Sequence, residues 1–472
     1  VLAMLERYVG EDGFREGVRL HMQRHTDGVA TAEDFMASLA EGSGRAELIP
    51  AFESFIEQPG VPLVSASVVC EEGRKPMMEL SQGRYAPLGS SIDPDSGQWQ
   101  IPVCVSYDDE GVNKSTCAML NEKSKSIELE SNACPSGLHP NADGAGYYRF
   151  SMDESWWDGL IADLPGLSPS EALVMADSLG AAFRAGNMPA TTYVSGLSAL
   201  ISHETWDVVD AAMGQLEQLT TIVDSDQLPK LEEGDRKMVR PRVARLAGTS
   251  DMGSELLQQR MQRFLIVIAK DQEMRRPLAV QAAARIGLND EPDLSAVPVN
   301  EMETVLSIGV QDLGEPFFDL LLEQAIASED PTFRQAATGS LARVEDPALV
   351  AKLQNALLKG AFKGSEGVGI IFRQMVRAAT TEQTYAWITA NDEAVIEMIP
   401  EPFRPSTVPA FGGTFCSKQR ADDWQEFILS HADKLPGYER SLAQSIESIQ
   451  LCAAIKDAKA EELLAAFKNH GG

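Results

Sequence analysis

The hydrophobic repeat of this chain changes twice, and those changes limit what it can fold into. Up to about residue 58 apolar residues recur at helical spacing, at positions 1, 2, 4, 5 and 9 and again at Phe14, Val18 and Met22. Thr31-Ala32-Glu33-Asp34 predicts a capped helix start running through Phe35 and Leu39. A further helix is expected from Ala46 to Ile56, and Gln58-Pro59-Gly60-Val61-Pro62 ends it. From Leu63 to about Phe150 the period drops to two, as in Val64, Ala66, Val68 and Cys70, with turn clusters such as Ser91 to Gly97 between the segments. From Trp156 onward the helical period returns and stays. Ser168-Pro169-Ser170-Glu171 places Ser at the N-cap, Pro at the first helical position and Glu at the third. Short turns such as Ala185-Gly186-Asn187 and Glu329-Asp330-Pro331 break the later helices, and Ala460 to Lys468 is read as the last one.

A chain of 472 residues exceeds one compact core. The expected fold is multidomain and mainly α. Residues 1–60 form the end of a helical domain, 61–152 an Ig-like β-sandwich, and 153–472 a large α-solenoid of the HEAT or armadillo kind. No strict repeat period is present. The opening run Val1-Leu2-Ala3-Met4-Leu5-Glu6 reads as the middle of a helix without a cap, so the chain is expected to be the C-terminal part of a longer protein.

Forty basic residues stand against 70 acidic ones, a formal net charge of −30. That charge repels phosphate backbones, and nucleic acid is not expected as a partner. It attracts cations such as peptide amines, although solubility alone is reason enough for it. No apolar run approaches the length of a membrane span. The six cysteines, Cys70, Cys104, Cys117, Cys134, Cys416 and Cys452, include no C-x-x-C pair of the kind structural zinc prefers. Their even number and the clustering of four in the strand region point to disulfides and an oxidising compartment, periplasmic or extracellular. Six buried free thiols are the alternative. Spacing does not fix the connectivity; the working pairing is Cys416–Cys452, Cys70–Cys104 and Cys117–Cys134.

The order of these parts, together with several local runs, resembles the zinc aminopeptidases of the aminopeptidase N and puromycin-sensitive type, the gluzincins. The runs are Gly10 to Gly17, Thr31 to Phe35, Gln58-Pro59-Gly60-Val61-Pro62-Leu63-Val64, Trp99-Gln100-Ile101-Pro102, Gly146-Tyr147-Tyr148-Arg149-Phe150, His203-Glu204-Thr205-Trp206 and Phe411 to Cys416. The resemblance covers essentially the whole chain, as the C-terminal half of that family. It implies a hydrolase that removes N-terminal residues from peptides. In that family two histidines of a His-Glu-x-x-His helix and a downstream Glu hold zinc, and the Glu between the histidines activates the bound water. None of those motifs occurs in this sequence, so no catalytic, cofactor-binding or metal-ligating residue is assigned. Zinc is expected in the whole protein and not on this chain. The implied partners are peptides and the N-terminal and catalytic domains, and the implied role here is to enclose and position substrate.

Other features invite chemistry and are read as structural. His21 and His25 share a helix face at i and i+4, but Met22 occupies the position of a water-activating Glu and no third ligand follows. His139, His203, His431 and His470 are isolated. Gly360 to Gly367 lacks the Gly-Lys-Ser/Thr ending of a phosphate loop and reads as a turn between helices. Trp156 and Trp157 read as packing, and Arg404 is a weak candidate for a peptide carboxylate. From a different class, the chain is a free-standing binding scaffold without catalysis.

Overall fold

The computed structural model describes residues 1–249 and 251–469. Contacts divide the chain into two compact units, Val1–Gln215 and Leu216–Gly472.

The first unit opens with helices Leu2–Val9, Glu11–Arg24, Ala32–Ser43 and Leu48–Ile56. The third starts on a capping box, in which the Thr31 hydroxyl accepts from Asp34 N–H at 3.2 Å and the Asp34 carboxylate accepts from Thr31 N–H at 2.9 Å. Helices Glu11–Arg24 and Ala32–Ser43 cross backbone to backbone. A Cβ at Gly42 would lie 2.4 Å from Gly17 Cα, and one at Gly17 would lie 2.7 Å from Leu39 Cα, so both positions require glycine. Leu5, Met36, Leu39, Leu48 and Ala51 form the apolar core of these helices and join it to Met119 of the strand region.

Seven strands follow: β1 Pro62–Val69, β2 Met77–Arg84, β3 Ile101–Asp109, β4 Val112–Leu120, β5 Ser124–Glu128, β6 Ser136–His139 and β7 Arg149–Ser151. They form two sheets, one ordered β5-β2-β1-β7 and the other β4-β3-β6. All pairings are antiparallel except β1 with β7. Gln98 to Gln100 lie before β3 rather than in it. One buried amide ties the two sheets together. The Gln82 side chain, from β2, points its nitrogen at the carbonyls of Trp99 (2.8 Å), Leu120 (3.2 Å) and Glu122 (2.9 Å), and its oxygen accepts from Trp99 N–H (2.9 Å).

The expected pairing of the four cysteines in this region is corrected. Cys70 bonds to Cys134, and Cys104 bonds to Cys117. Cys104 and Cys117 are direct register partners on β3 and β4, which brings their Cα atoms to 4.0 Å. Alternation in the sequence marks strands but not register, so it could not give this pairing.

Ser168 and Glu171 form the expected capping box at the start of helix Pro169–Arg184, and Glu171 also accepts from Asp143 N–H at 3.0 Å. His139, at the end of β6, docks against this helix start. Its Nδ1 accepts from Asn141 N–H at 3.2 Å, which leaves Nε2 to donate to the Glu171 carbonyl at 3.2 Å. Phe150 of β7 stacks on Trp157 at 5.2 Å, so Trp157 is core.

The second unit is helical throughout its described residues. One apolar cluster runs from Ala282 to Ile449 and includes Phe317, Phe318, Ile370, Phe411 and Trp424. Asp330 and Asp346 cap helices Pro331–Leu341 and Pro347–Leu358, each with Pro at the first helical position. The final helix is Glu439–Asn469, much longer than the expected Ala460 to Lys468. No Gly or Pro interrupts 439–469, and Gly437 (φ 89°) supplies the turn before it. Cys416 bonds to Cys452 on that helix. Among the described residues no helix is long and apolar enough to cross a membrane.

Three outcomes follow from this packing. Closing loops of 64, 36 and 13 residues, the disulfides Cys70–Cys134, Cys416–Cys452 and Cys104–Cys117 contribute in that order, about 4, 4 and 3 kcal/mol from chain entropy. Paired Cys→Ser variants in denaturant melts read the order. Asp235, on helix Leu228–Leu246, is 1% exposed with neither carboxylate oxygen partnered, and burial raises its pKa well above the usual carboxylate range. The folded state therefore holds a proton that the unfolded state releases above its ordinary pKa, so this group costs stability as pH rises from there towards the folded value. Asp235→Asn should stabilise the chain by about 1–3 kcal/mol at pH 8 and flatten that slope. His139 has the opposite sign. Burial lowers its pKa, so its contribution is intact above the unfolded value of about 6.5 and is lost as pH falls through that value towards the folded one. His139→Gln should flatten the unfolding midpoint between pH 7 and 5.

Candidate functional site

The residues singled out in the sequence do not gather into one centre. His21 and His25 stack with ring centroids 4.8 Å apart, and His21 sets its edge against Phe35 at 5.1 Å. Among the described residues no three His, Cys, Asp or Glu side chains stand close enough to hold a metal ion. His203 Nδ1 accepts from Thr205 N–H at 3.0 Å, just ahead of helix Trp206–Leu219. His431 pairs with Asp392 at 2.9 Å. His470 lies outside the described residues. Arg404 donates to the Ile399 carbonyl at 2.8 Å at the start of helix Arg404–Phe411. Gly360 lies in a turn, and helix Gly364–Met375 begins inside the glycine-rich run.

Two polar regions of the second unit were not visible in the sequence. The first is a cavity of about 460 Å³ beside the Cys416–Cys452 bond, lined by Thr221, Asp224, Glu382, Ser417, Arg420 and Lys456 among others. Its cations are matched. Arg420 is gripped by Glu382 and Asp423, and this raises its pKa; Lys456 pairs with Asp224.

The second region is unmatched. Glu303 sits in the first turn of helix Met302–Asp312. Arg343 follows helix Pro331–Leu341, while Arg373 is in the last turn of helix Gly364–Met375 and Arg377 lies just beyond it. The stacking of these helices brings the four together. Arg373 and Arg343 reach the same Glu303 oxygen at 3.5 and 3.8 Å, and Arg377 reaches Glu345 at 3.7 Å. Lys270 holds Glu345 at 2.9 Å, the Gln311 amide donates to it at 3.3 Å, and Glu232 stands behind Lys270 at 3.6 Å. The buried Nε atoms of Arg343 and Arg377 have no hydrogen-bond partner. Burial and the neighbouring guanidiniums lower the pKa of both, and Arg377 is pushed down to about 10. Arg263 adds a further positive charge beside Arg343. Four cations thus share three carboxylates, with Arg263 a fifth positive charge near Arg343, in a chain whose net charge is −30. No sequence signal marks this cluster, because its members are spread from Glu232 to Arg377 and meet only through helix packing.

Comparison with known proteins adds the family. Residues 138–451 match the family described as the ERAP1-like C-terminal domain. Aminopeptidase 2, mitochondrial, of Saccharomyces cerevisiae is 21% identical over 458 residues, which is 95% of this chain and 46% of the yeast protein. Aminopeptidase M1 of Arabidopsis thaliana is 31% identical over 196 residues, 38% of this chain and 20% of the plant protein. The puromycin-sensitive aminopeptidase of Caenorhabditis elegans is 22% identical over 268 residues, 56% of this chain and 28% of the nematode protein. The chain spans about half or less of the length of these curated relatives. The family match covers well over half of the residues and takes in the last strands and most of the helices that follow, and on that ground the chain belongs to the ERAP1-like C-terminal domain family.

Proposed function

We propose that this chain is the C-terminal portion of a zinc-dependent aminopeptidase that removes N-terminal residues from peptides. The observation that carries the reading is the alignment of 95% of the chain with about half of an aminopeptidase. In this reading residues 1–60 complete a catalytic domain built mostly from sequence not in this chain. Residues 61–152 are an Ig-like β-sandwich, a reading supported by two sheets joined through Gln82. Residues 153–472 are a HEAT- or armadillo-like solenoid, supported by the succession of short helices over one apolar cluster. Zinc and the water-activating Glu belong to the other half. The role left to this portion is to enclose peptides and position them for cleavage. The three disulfides favour a periplasmic or extracellular location.

The purified chain alone should bind no stoichiometric zinc and hydrolyse no aminoacyl arylamide. Coexpressed with the sequence encoded upstream of Val1, it should yield chelator-sensitive aminopeptidase activity. Turnover by the isolated chain, abolished by a chelator, would overturn the division of labour. An upstream sequence without His-Glu-x-x-His would overturn the peptide-trimming role.

A further inference from the structure

We propose that the arginine cluster formed by Arg343, Arg373 and Arg377, with Arg263 and Lys270 beside it, is a binding site for a tetrahedral oxyanion dianion of the phosphate or sulfate type. The proposal does not rest on the aminopeptidase reading, because every residue in it belongs to the second unit and the test needs no catalysis.

Charge comes first. Like charges packed this closely repel one another, and partial burial weakens the screening that water supplies. Two other guanidiniums of the second unit, Arg275 and Arg334, are closely matched, whereas Arg285 lies over the Phe333 ring with its buried Nε unpartnered. Arg275, 1% exposed, donates to both oxygens of Asp312 at 2.7 and 2.9 Å, to Gln311 at 2.8 Å and to the Ile266 carbonyl at 3.0 Å. Arg334 makes a two-point grip on Glu366 at 2.7 and 2.9 Å. Arg343, Arg373 and Arg377 make only single contacts with carboxylates at 3.5 to 3.8 Å. With Arg263 counted beside the four paired cations, positive charge exceeds the three carboxylates by two, which matches a dianion and not a lone carboxylate.

Donor geometry comes second. The two orphaned Nε–H groups sit on neighbouring arginines, and each guanidinium keeps further donors that no close acceptor uses. A tetrahedral anion offers acceptors in several directions at once and suits forked donors converging from different helices. Glu303 is the carboxylate that Arg343 and Arg373 share, and it passes close over Gly339, where an added Cβ would lie 2.7 to 3.0 Å from it. It is therefore the acid an incoming anion would compete with.

The experiment is a calorimetric and thermal-shift titration of the purified chain with inorganic phosphate and with sulfate, against sodium chloride at matched ionic strength. Saturable binding of about one anion per chain is expected, with a rise in unfolding temperature that chloride does not reproduce. Arg377→Gln and Arg343→Gln should each weaken binding roughly tenfold or more, and Glu303→Gln should tighten it. Arg373→Gln, at the more exposed guanidinium, keeps the test readable if loss of Arg343 or Arg377 unfolds the chain. An equal response to chloride overturns the proposal, as does phosphate affinity unchanged in every arginine variant. A short peptide with a free C-terminal carboxylate that binds more tightly than phosphate, when its amide does not bind, overturns the dianion in favour of a single carboxylate.

Discussion

The first unit depends on how polar atoms in its interior are paired, and the Gln82 amide carries most of that pairing between the sheets. Two sheets can be held together by apolar side chains alone, but such contacts slide. An amide anchored on β2 that reaches the backbone of Trp99, Leu120 and Glu122 cannot slide without losing all its partners in the interior. It fixes where the segment before β3 and the end of β4 lie relative to β2. The Cys104–Cys117 register and the Met119 contact with the opening helices are set on that frame. His139 and Glu171 continue the same logic, carrying β6 onto the start of helix Pro169–Arg184.

The second unit follows the same rule in part and departs from it at several places, Arg285, Thr338, Gln374 and Trp387 among them. Arg275, Arg334 and Trp424 sit within the helix layers with their donors matched, Trp424 through the Pro409 carbonyl at 2.9 Å. Asp235 and the Arg343–Arg377 pair do not meet it. The first is a carboxylate whose pKa burial and the nearby Glu232 raise. The second is a group of cations that outnumbers the carboxylates in contact with it. A charged group left unpaired in the interior is costlier than a neutral one, which makes these exceptions informative.

Much of the architecture was legible because it rests on local signals. Ser168 to Glu171 and Thr31 to Asp34 state their helix starts outright, and Pro59 to Pro62 ends a helix in any context. β4 carries little apolar alternation because it lies at a sheet edge and its first residues, Asn113, Lys114 and Ser115, are all polar. The length of helix Glu439–Asn469 was missed because its apolar positions are diluted by charged residues, and packing rather than periodicity holds it. Disulfide pairing needed register. The arginine cluster needed tertiary stacking, since Glu303 and Arg373 are 70 positions apart.

The Cys104–Cys117 bond joins two residues already opposite each other on one hairpin. It braces little of the molecule, yet it locks one alignment of β3 against β4. Its ring is short enough to close while most of the polypeptide is still unfolded. Once closed, it withdraws two of the four thiols in the strand region from competition and leaves Cys70 only Cys134 as a partner there. Closed first, the small bond removes both wrong partners of Cys70 in the strand region before the longer ring forms.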